Sequence, residues 1–104
     1  MKRLAFKMKL TPGFADEYQK RHEDIWPELK SLLKKSGISE YSIFLDEETH
    51  TLFAFQKVDG ADGSQDLGSE EIVKKWWNYM ADIMYTNPDQ SPVSIPLKEV
   101  FYLE

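Results

Sequence analysis

The order in which hydrophobic periodicity changes along the chain most constrains its fold. Apolar and charged side chains alternate over residues 4–10, which is typical of a half-buried strand. Over residues 14–36 the apolar side chains recur at helical spacing instead, and Gly37 is a natural end for that helix. Pro27 interrupts this stretch, because its ring clashes with the carbonyl group of the residue one turn earlier. We therefore predict a kink or break within residues 22–26.

Two strand-like runs follow this helical stretch. Residues 41–46 and Thr51–Val58 are rich in apolar, β-branched and aromatic side chains. The short polar segment between them predicts an antiparallel hairpin. After the hairpin, residues 59–64 are polar and rich in glycine, which predicts a flexible loop.

The last third of the chain predicts one more helix and one more strand. Ser69 is a candidate N-cap for a helix with a wide apolar face that runs to about Tyr85. Residues 87–96 contain three prolines, which predicts a stiff surface loop. Residues 97–103 are expected to close the chain as a final strand.

This order of elements is βαββαβ, which predicts a ferredoxin-like α+β fold in one domain, residues 1–104. Such a fold has a four-stranded antiparallel sheet with two helices on one face. Phe53 and Phe55 alternate with Leu52 and Ala54, so apolar side chains occupy both faces of the sheet. Two sheets packed face to face would cover the second face and form a dimeric α+β barrel. We therefore expect a homodimer.

Composition excludes several classes of function. The net charge of −5 argues against a nucleic-acid partner, because a phosphate-binding surface needs clustered basic residues. The chain has no cysteine, which excludes disulfides and thiolate chemistry and fits a cytoplasmic location. No apolar run is long enough for a signal peptide or a membrane span, so no membrane association is expected. We expect no metal, because the consecutive His22, Glu23 and Asp24 cannot converge as ligands in regular structure.

His22 is the strongest candidate for acid–base chemistry. It follows Tyr18 by one helical turn, so the two side chains share one helix face. A helix end at the predicted break would raise the pKa of His22, whereas burial would lower it. From the residues alone, a surface histidine in a charged stretch is the commoner case.

Adjacent tryptophans and one tyrosine are candidates for ligand contact. Trp76 and Trp77 point about 100° apart on a helix, so one is expected in the core and the other in a cavity wall. An indole ring offers a flat apolar face and one N–H donor, which suits a sugar. Tyr41 begins a strand and could present its hydroxyl group to a ligand. Two core tryptophans and a buried tyrosine with a backbone partner are the alternative interpretations.

Several segments, read together, resemble L-rhamnose mutarotases. The matching segments are residues 18–22, 25–29, 41–46, 76–80, 87–93 and 99–103. The resemblance covers essentially the whole chain in order, and residues 59–68 match least. It implies the dimeric α+β barrel, no cofactor, and a pocket between the sheet and the helices. It also implies a proton-donating histidine at His22 and substrate contacts at the positions of Tyr18, Tyr41, Trp76 and Trp77.

The activity implied by this resemblance is an isomerase reaction that interconverts the α and β anomers of L-rhamnopyranose through acid–base ring opening and closing. His22 would be the main acid, and the tryptophans would accept the C6 methyl group of the sugar. The partner base stays open between Asp24 and Asp89. Asn87, in the same loop as Asp89, is a further candidate site residue with no assigned role. The alternatives are a cofactor-free monooxygenase on the same barrel and a non-catalytic module that binds a small ligand.

Overall fold

The computed structural model describes residues 1–60 and 62–104. The predicted polar loop over residues 59–64 includes Ala61, which lies outside the described residues, and its end at Ser64 begins a short 3-10 helix. The regular elements in chain order are β1 (Lys2–Lys9), α1 (Ala15–Glu23), α2 (Pro27–Lys35), β2 (Ile38–Asp46), β3 (Thr51–Val58), the 3-10 helix (Ser64–Asp66), α3 (Glu71–Met80) and β4 (Ile95–Leu97).

The sheet has the order β2-β3-β1-β4, and every pairing is antiparallel. This confirms the predicted ferredoxin-like α+β arrangement and the hairpin of β2 and β3. The helices pack on the face of the sheet that carries Phe6, Met8, Leu52 and Ala54, and together they form the hydrophobic core. No helix in residues 1–60 and 62–104 is long and apolar enough to cross a membrane.

The predicted break in the first helix is confirmed, and it divides that helix into α1 and α2. α1 ends at Glu23, and Pro27 is the first residue of α2, where a missing N–H group costs no hydrogen bond. Trp26 between them is extended, with ψ of 129°. Gly37 ends α2 with φ of +86°, a conformation that side chains disfavour.

The predicted bounds of the last helix are wrong at both ends. Glu70, not Ser69, precedes α3, because the chain is still in a turn in which the Glu70 N–H donates to the Leu67 carbonyl. At the other end the helix stops at Met80 rather than near Tyr85. Residues 83–85 instead bond to the end of β1: the Tyr85 N–H donates to the Lys9 carbonyl, and Ile83 accepts from Thr11.

The predicted final strand over residues 97–103 is also wrong. β4 covers only Ile95–Leu97, and residues 98–104 form no strand. Pro96 removes one backbone donor from β4. Side chains hold the segment that follows, because the Arg3 guanidinium donates to Glu99 at 2.8 and 2.9 Å and lies over the Tyr102 ring.

The edges of the sheet are irregular. β2 forms one edge, and its register with β3 shifts between Ser39 and Ser42, where Glu40 takes a positive φ of 46°. A shift of this kind is a β-bulge, which increases the local twist. β4 forms the other edge with only three residues.

The face of the sheet turned away from the helices carries two cross-strand rows that are apolar except for Lys7. One row runs from Phe44 through Phe53 and Lys7 to Ile95, and the second row joins Phe55, Ala5 and Leu97. Phe44 is 67% exposed in the single chain. The expectation that apolar side chains occupy both faces of the sheet is therefore confirmed.

We expect Leu52→Ala to lower the free energy of unfolding by about 3–5 kcal/mol, because it leaves a cavity between the sheet and the helices. Leu52 is 1% exposed, whereas Leu103 in the C-terminal tail is 79% exposed. Leu103→Ala removes the same atoms from the surface and should change stability by less than about 0.5 kcal/mol. Urea unfolding followed by circular dichroism measures both values. Equal losses in the two variants would contradict the assigned core.

Candidate active site

A cavity of about 780 Å³ lies between the sheet and the helices. Its volume is within the range of small-molecule sites in proteins. All five residues that the family resemblance assigns to substrate or catalysis line it, although they come from three elements: Tyr18, His22, Tyr41, Trp76 and Trp77.

His22 stands in the last turn of α1 and is held by its own helix. Its Nδ1 atom lies 3.0 Å from the carbonyl oxygen of Tyr18. A carbonyl oxygen only accepts hydrogen bonds, so Nδ1 carries a proton. Nε2 is then unprotonated in the neutral ring, and it has no hydrogen-bond partner among the described residues. The structure thus leaves one nitrogen of His22 available for proton transfer.

Aromatic rings fix the orientation of His22. The ring stacks on Tyr18 with a centroid distance of 4.3 Å and meets Trp76 edge-on at 5.5 Å. The neighbouring Arg21 ties this end of α1 to α3, because its guanidinium binds the Asp82 carboxylate and the Tyr79 carbonyl oxygen. His22 is therefore held both by its own helix and by the facing one.

Burial lowers the pKa of His22 below its ordinary value of 6.5, and the hydrogen bond to Tyr18 opposes this more weakly. Burial thus acts in the direction expected from the sequence. His22 is therefore neutral at pH 7. A neutral imidazole with a free Nε2 accepts a proton first and donates it afterwards.

Two tyrosines supply hydroxyl groups to the same cavity. Burial and the nearby phenol of Tyr41 raise the pKa of Tyr18. Burial likewise raises the pKa of Tyr41, while a hydrogen bond from Ser64 acts in the opposite direction. Both phenols therefore stay protonated at neutral pH and are hydrogen-bond donors.

Trp76 belongs to the buried core and Trp77 is only partly buried beside it, and both line the cavity. Trp76 serves both purposes: it meets His22 on one side and packs against Trp26 at 5.1 Å. Trp77 is half-buried and lies against Gly68, where an added Cβ would be 2.9 Å from its ring. Only glycine lets that loop approach the indole so closely.

The other three candidates lie away from the cavity. Asp24 is exposed at the end of α1. The Asp89 carboxylate accepts hydrogen bonds from the backbone and hydroxyl of Ser91, which lower its pKa, and Asn87 donates to the Ser91 hydroxyl at 3.1 Å. Asn87 and Asp89 thus shape the proline-rich loop, whose Pro92 reaches the cavity. Within residues 1–60 and 62–104, no three His, Asp or Glu side chains converge to hold a metal ion.

Sequence reasoning missed a polar group behind Tyr41. Ser64 and Gln65 line the cavity, and Gln56 of β3 is buried behind them. One signal in the sequence could have found Gln56. It falls on the period-two face of β3 that otherwise carries Leu52, Ala54 and Val58.

Comparisons with known proteins agree with this geometry. A family profile described as L-rhamnose mutarotase matches residues 3–103. An L-rhamnose mutarotase of Formosa agariphila is 70% identical over 104 residues, and one of Bacteroides thetaiotaomicron is 67% identical over the same length; each alignment covers 100% of both chains. A crystal structure of an L-rhamnose mutarotase from Formosa agariphila superposes with a TM-score of 0.93 at 66% identity, covering 100% of both chains.

We expect ¹⁵N-edited NMR titration to give His22 a pKa below 6.5, with the proton of the neutral ring on Nδ1. Burial disfavours the imidazolium, and the Tyr18 carbonyl oxygen selects the tautomer. A His22→Gln variant identifies the His22 signals by their loss. A pKa above 6.5, or a neutral ring protonated on Nε2, would contradict this assignment.

Proposed function

The chain belongs to the L-rhamnose mutarotase family, and we infer from this that it interconverts the α and β anomers of L-rhamnopyranose. It is an enzyme that acts on sugars, and the proposed reaction makes it an isomerase. The observation that carries the proposal is His22, whose Nδ1 is satisfied by the backbone and whose Nε2 is free in a cavity with two protonated phenols.

Anomer exchange requires the pyranose ring to open and close. In opening, a base removes the proton of the anomeric hydroxyl, the C1–O5 bond breaks, and the ring oxygen receives a proton. The resulting aldehyde rotates about the C1–C2 bond, and the ring oxygen then attacks either face of C1. No electrons are gained or lost, so the proposed reaction uses no cofactor.

We assign the general acid–base role to His22. Its neutral form supports removal of the anomeric proton by Nε2, because that nitrogen has a free lone pair. Ring closure reverses the step, and the imidazolium returns the proton to the carbonyl oxygen. His22 is thus a base in opening and an acid in closing, which accommodates the proton-donor role that the family resemblance implies. Neither Asp24 nor Asp89 lines the cavity, so the proton for the ring oxygen is assigned to a tyrosine.

The indole rings fit an uncharged sugar with an apolar end. Trp76 and Trp77 both line the cavity, and flat apolar surfaces suit the C–H face of a pyranose and its C6 methyl group. Tyr18 and Tyr41 supply donors for sugar hydroxyl groups. We propose these four residues as the substrate contacts. The absence of cysteine is compatible with the proposed cytoplasmic location.

Neither alternative function has comparable support. The full-length relatives and the crystal structure carry the name of a mutarotase and not of a monooxygenase. A non-catalytic binding module would bind the sugar without accelerating exchange. Exchange between the α and β anomer signals of L-rhamnose in NMR spectra distinguishes the three functions directly.

We expect His22→Ala to lower the rate of anomer exchange by about 100-fold or more, the usual contribution of general acid–base catalysis, with the fold intact. His50→Ala is the matched control, because His50 lies in the β2–β3 turn and does not line the cavity. In the wild type, the rate should fall as the pH drops below the lowered pKa of His22, because the imidazolium has no free lone pair. If His22→Ala stays within about threefold of wild type, another group performs the proton transfer.

We further propose a homodimer that pairs the outer faces of two sheets as a dimeric α+β barrel. The rows through the exposed Phe44 and the half-buried Phe55 support it, because soluble monomers rarely expose large contiguous apolar patches. Sedimentation at micromolar concentration should give twice the mass of the 12.2 kDa chain. Phe44→Glu should shift the protein to monomer, whereas Ser31→Glu on exposed α2 should not. A wild-type protein that sediments only as monomer would contradict the dimer.

A further inference from the structure

Gln56 is a polar side chain with 0% exposure on the helix-facing side of β3. Its neighbours on that face, Ala54 and Val58, are apolar. Burying an amide is unfavourable unless its polar atoms are hydrogen-bonded, and an apolar residue would fill this position without that requirement. The hydrogen bonds that Gln56 makes therefore indicate the role of its side-chain amide.

Both polar atoms of the Gln56 side-chain amide form hydrogen bonds with Ser64. Oε1 accepts from the backbone N–H of Ser64 at 2.8 Å, and Nε2 donates to the Ser64 hydroxyl oxygen at 2.9 Å. A backbone N–H only donates, so the atom that it meets is the oxygen of the amide. The amide orientation, and with it the direction of the second bond, is fixed.

The fixed hydrogen bonds of Gln56 also determine the direction of the hydrogen bond between Ser64 and Tyr41. The Ser64 hydroxyl oxygen accepts from Gln56 and, at 3.4 Å, from Nε2 of Gln65, which occupies both of its lone pairs. Its single hydrogen is then donated to the Tyr41 hydroxyl oxygen at 3.3 Å. The hydroxyl hydrogen of Tyr41 is not used in this network, and no acceptor for it is found in the described part of the chain. Because Tyr41 lines the cavity, that proton is available to a ligand there.

The loop that carries Ser64 is fitted closely to Gln56. A Cβ at Gly63 would lie 2.8 Å from Oε1 of Gln56 and 3.0 Å from Leu4, so only glycine allows this approach. The Gly63 N–H donates to the Asp66 carboxylate at 3.0 Å, which closes the short 3-10 helix. Tyr18, the other phenol of the cavity, has no such supporting bond to its hydroxyl among residues 1–60 and 62–104.

We propose that Gln56 and Ser64 are positioning residues that fix the hydrogen-bond direction of Tyr41, so that the Tyr41 hydroxyl donates its proton to the ring oxygen of the bound sugar. This inference rests on the proposed mutarotase function and assigns its second proton. In opening, the Tyr41 proton moves to the ring oxygen as the C1–O5 bond breaks, while Nε2 of His22 takes the anomeric proton. Closure returns both protons.

The chemistry of the network favours this step. The departing ring oxygen becomes an alkoxide, which is a stronger base than a phenolate, so proton transfer from Tyr41 is downhill. As negative charge develops on Tyr41, the hydrogen bond from Ser64 strengthens, because hydrogen bonds to ionised acceptors are stronger than neutral ones. Ser64 thus stabilises the state in which Tyr41 has given up its proton more than the resting state.

A double-mutant cycle on anomer exchange tests the proposal. Tyr41→Phe should lower kcat by about 100-fold, the scale of a lost general acid. Ser64→Ala should lower kcat by about tenfold, as expected for one lost hydrogen bond to a developing charge, with KM changed by less than about twofold. The double variant should be no slower than Tyr41→Phe alone, because Ser64 acts through the Tyr41 hydroxyl. Thr49→Ala, which removes a hydrogen-bonded hydroxyl in the β2–β3 turn, should match wild type.

The outcomes separate the inference from the function on which it rests. A wild-type protein that does not accelerate exchange overturns the proposed function. An active wild type overturns the inference alone in two cases: if Ser64→Ala keeps kcat within about twofold, or if the double variant is slowed by the product of the single effects. If Ser64→Ala does not fold by circular dichroism, Ser64→Cys keeps the shape but donates weakly, and an unchanged kcat there overturns the inference equally.

Discussion

The rest of the site depends on the interruption of the helical layer at Pro27. A continuous helix over residues 14–36 would place the proline ring against the carbonyl group of Glu23. The chain avoids this clash by ending α1 and extending Trp26 before α2 begins. The break places His22 in a last helical turn and lets Trp26 pack edge-on against Trp76 of α3. One residue without a backbone N–H thus sets the position of the imidazole relative to the wall of the cavity.

His22, Tyr18 and Tyr41 are neutral at neutral pH, and the same burial produces this state in each of them. Removing a group from water disfavours its charged form, so burial lowers the pKa of His22 and raises the pKa values of Tyr18 and Tyr41. The result is one free acceptor and two free donors. An uncharged sugar with hydroxyl groups and an apolar methyl group is the substrate class that suits such a set, because none of these three groups carries a formal charge that would lose its water when the sugar binds.

Local pattern was enough to predict most of the fold, and tertiary contacts account for what it missed. The strands β1 to β3 and the break before Pro27 follow from periodicity and from the covalent geometry of proline. The end of α3 and the short length of β4 do not follow from local pattern. They depend on tertiary hydrogen bonds, in which the Tyr85 N–H donates to the Lys9 carbonyl and the Arg3 guanidinium donates to the Glu99 carboxylate. In the site, helical spacing put Tyr18 and His22 together. The residues alone made Tyr41 and the tryptophans candidates with core packing as the alternative, and the family resemblance implied that they contact substrate. The positions of Asp24 and Asp89 depend on loop packing that no local pattern contains.

The irregular edges of the sheet have a consequence for aggregation. A long, regular edge strand offers unpaired backbone groups on which further chains can add, and the product is a growing β-sheet polymer. Here one edge is twisted by the bulge at Ser39 and Ser42, and the other is three residues long and contains Pro96. Neither edge is a good template for another strand. Association through the open face of the sheet buries its exposed aromatic rings, whereas association through either edge forms few backbone hydrogen bonds. The chain is therefore expected to form closed assemblies through its sheet face and not fibrils through its edges.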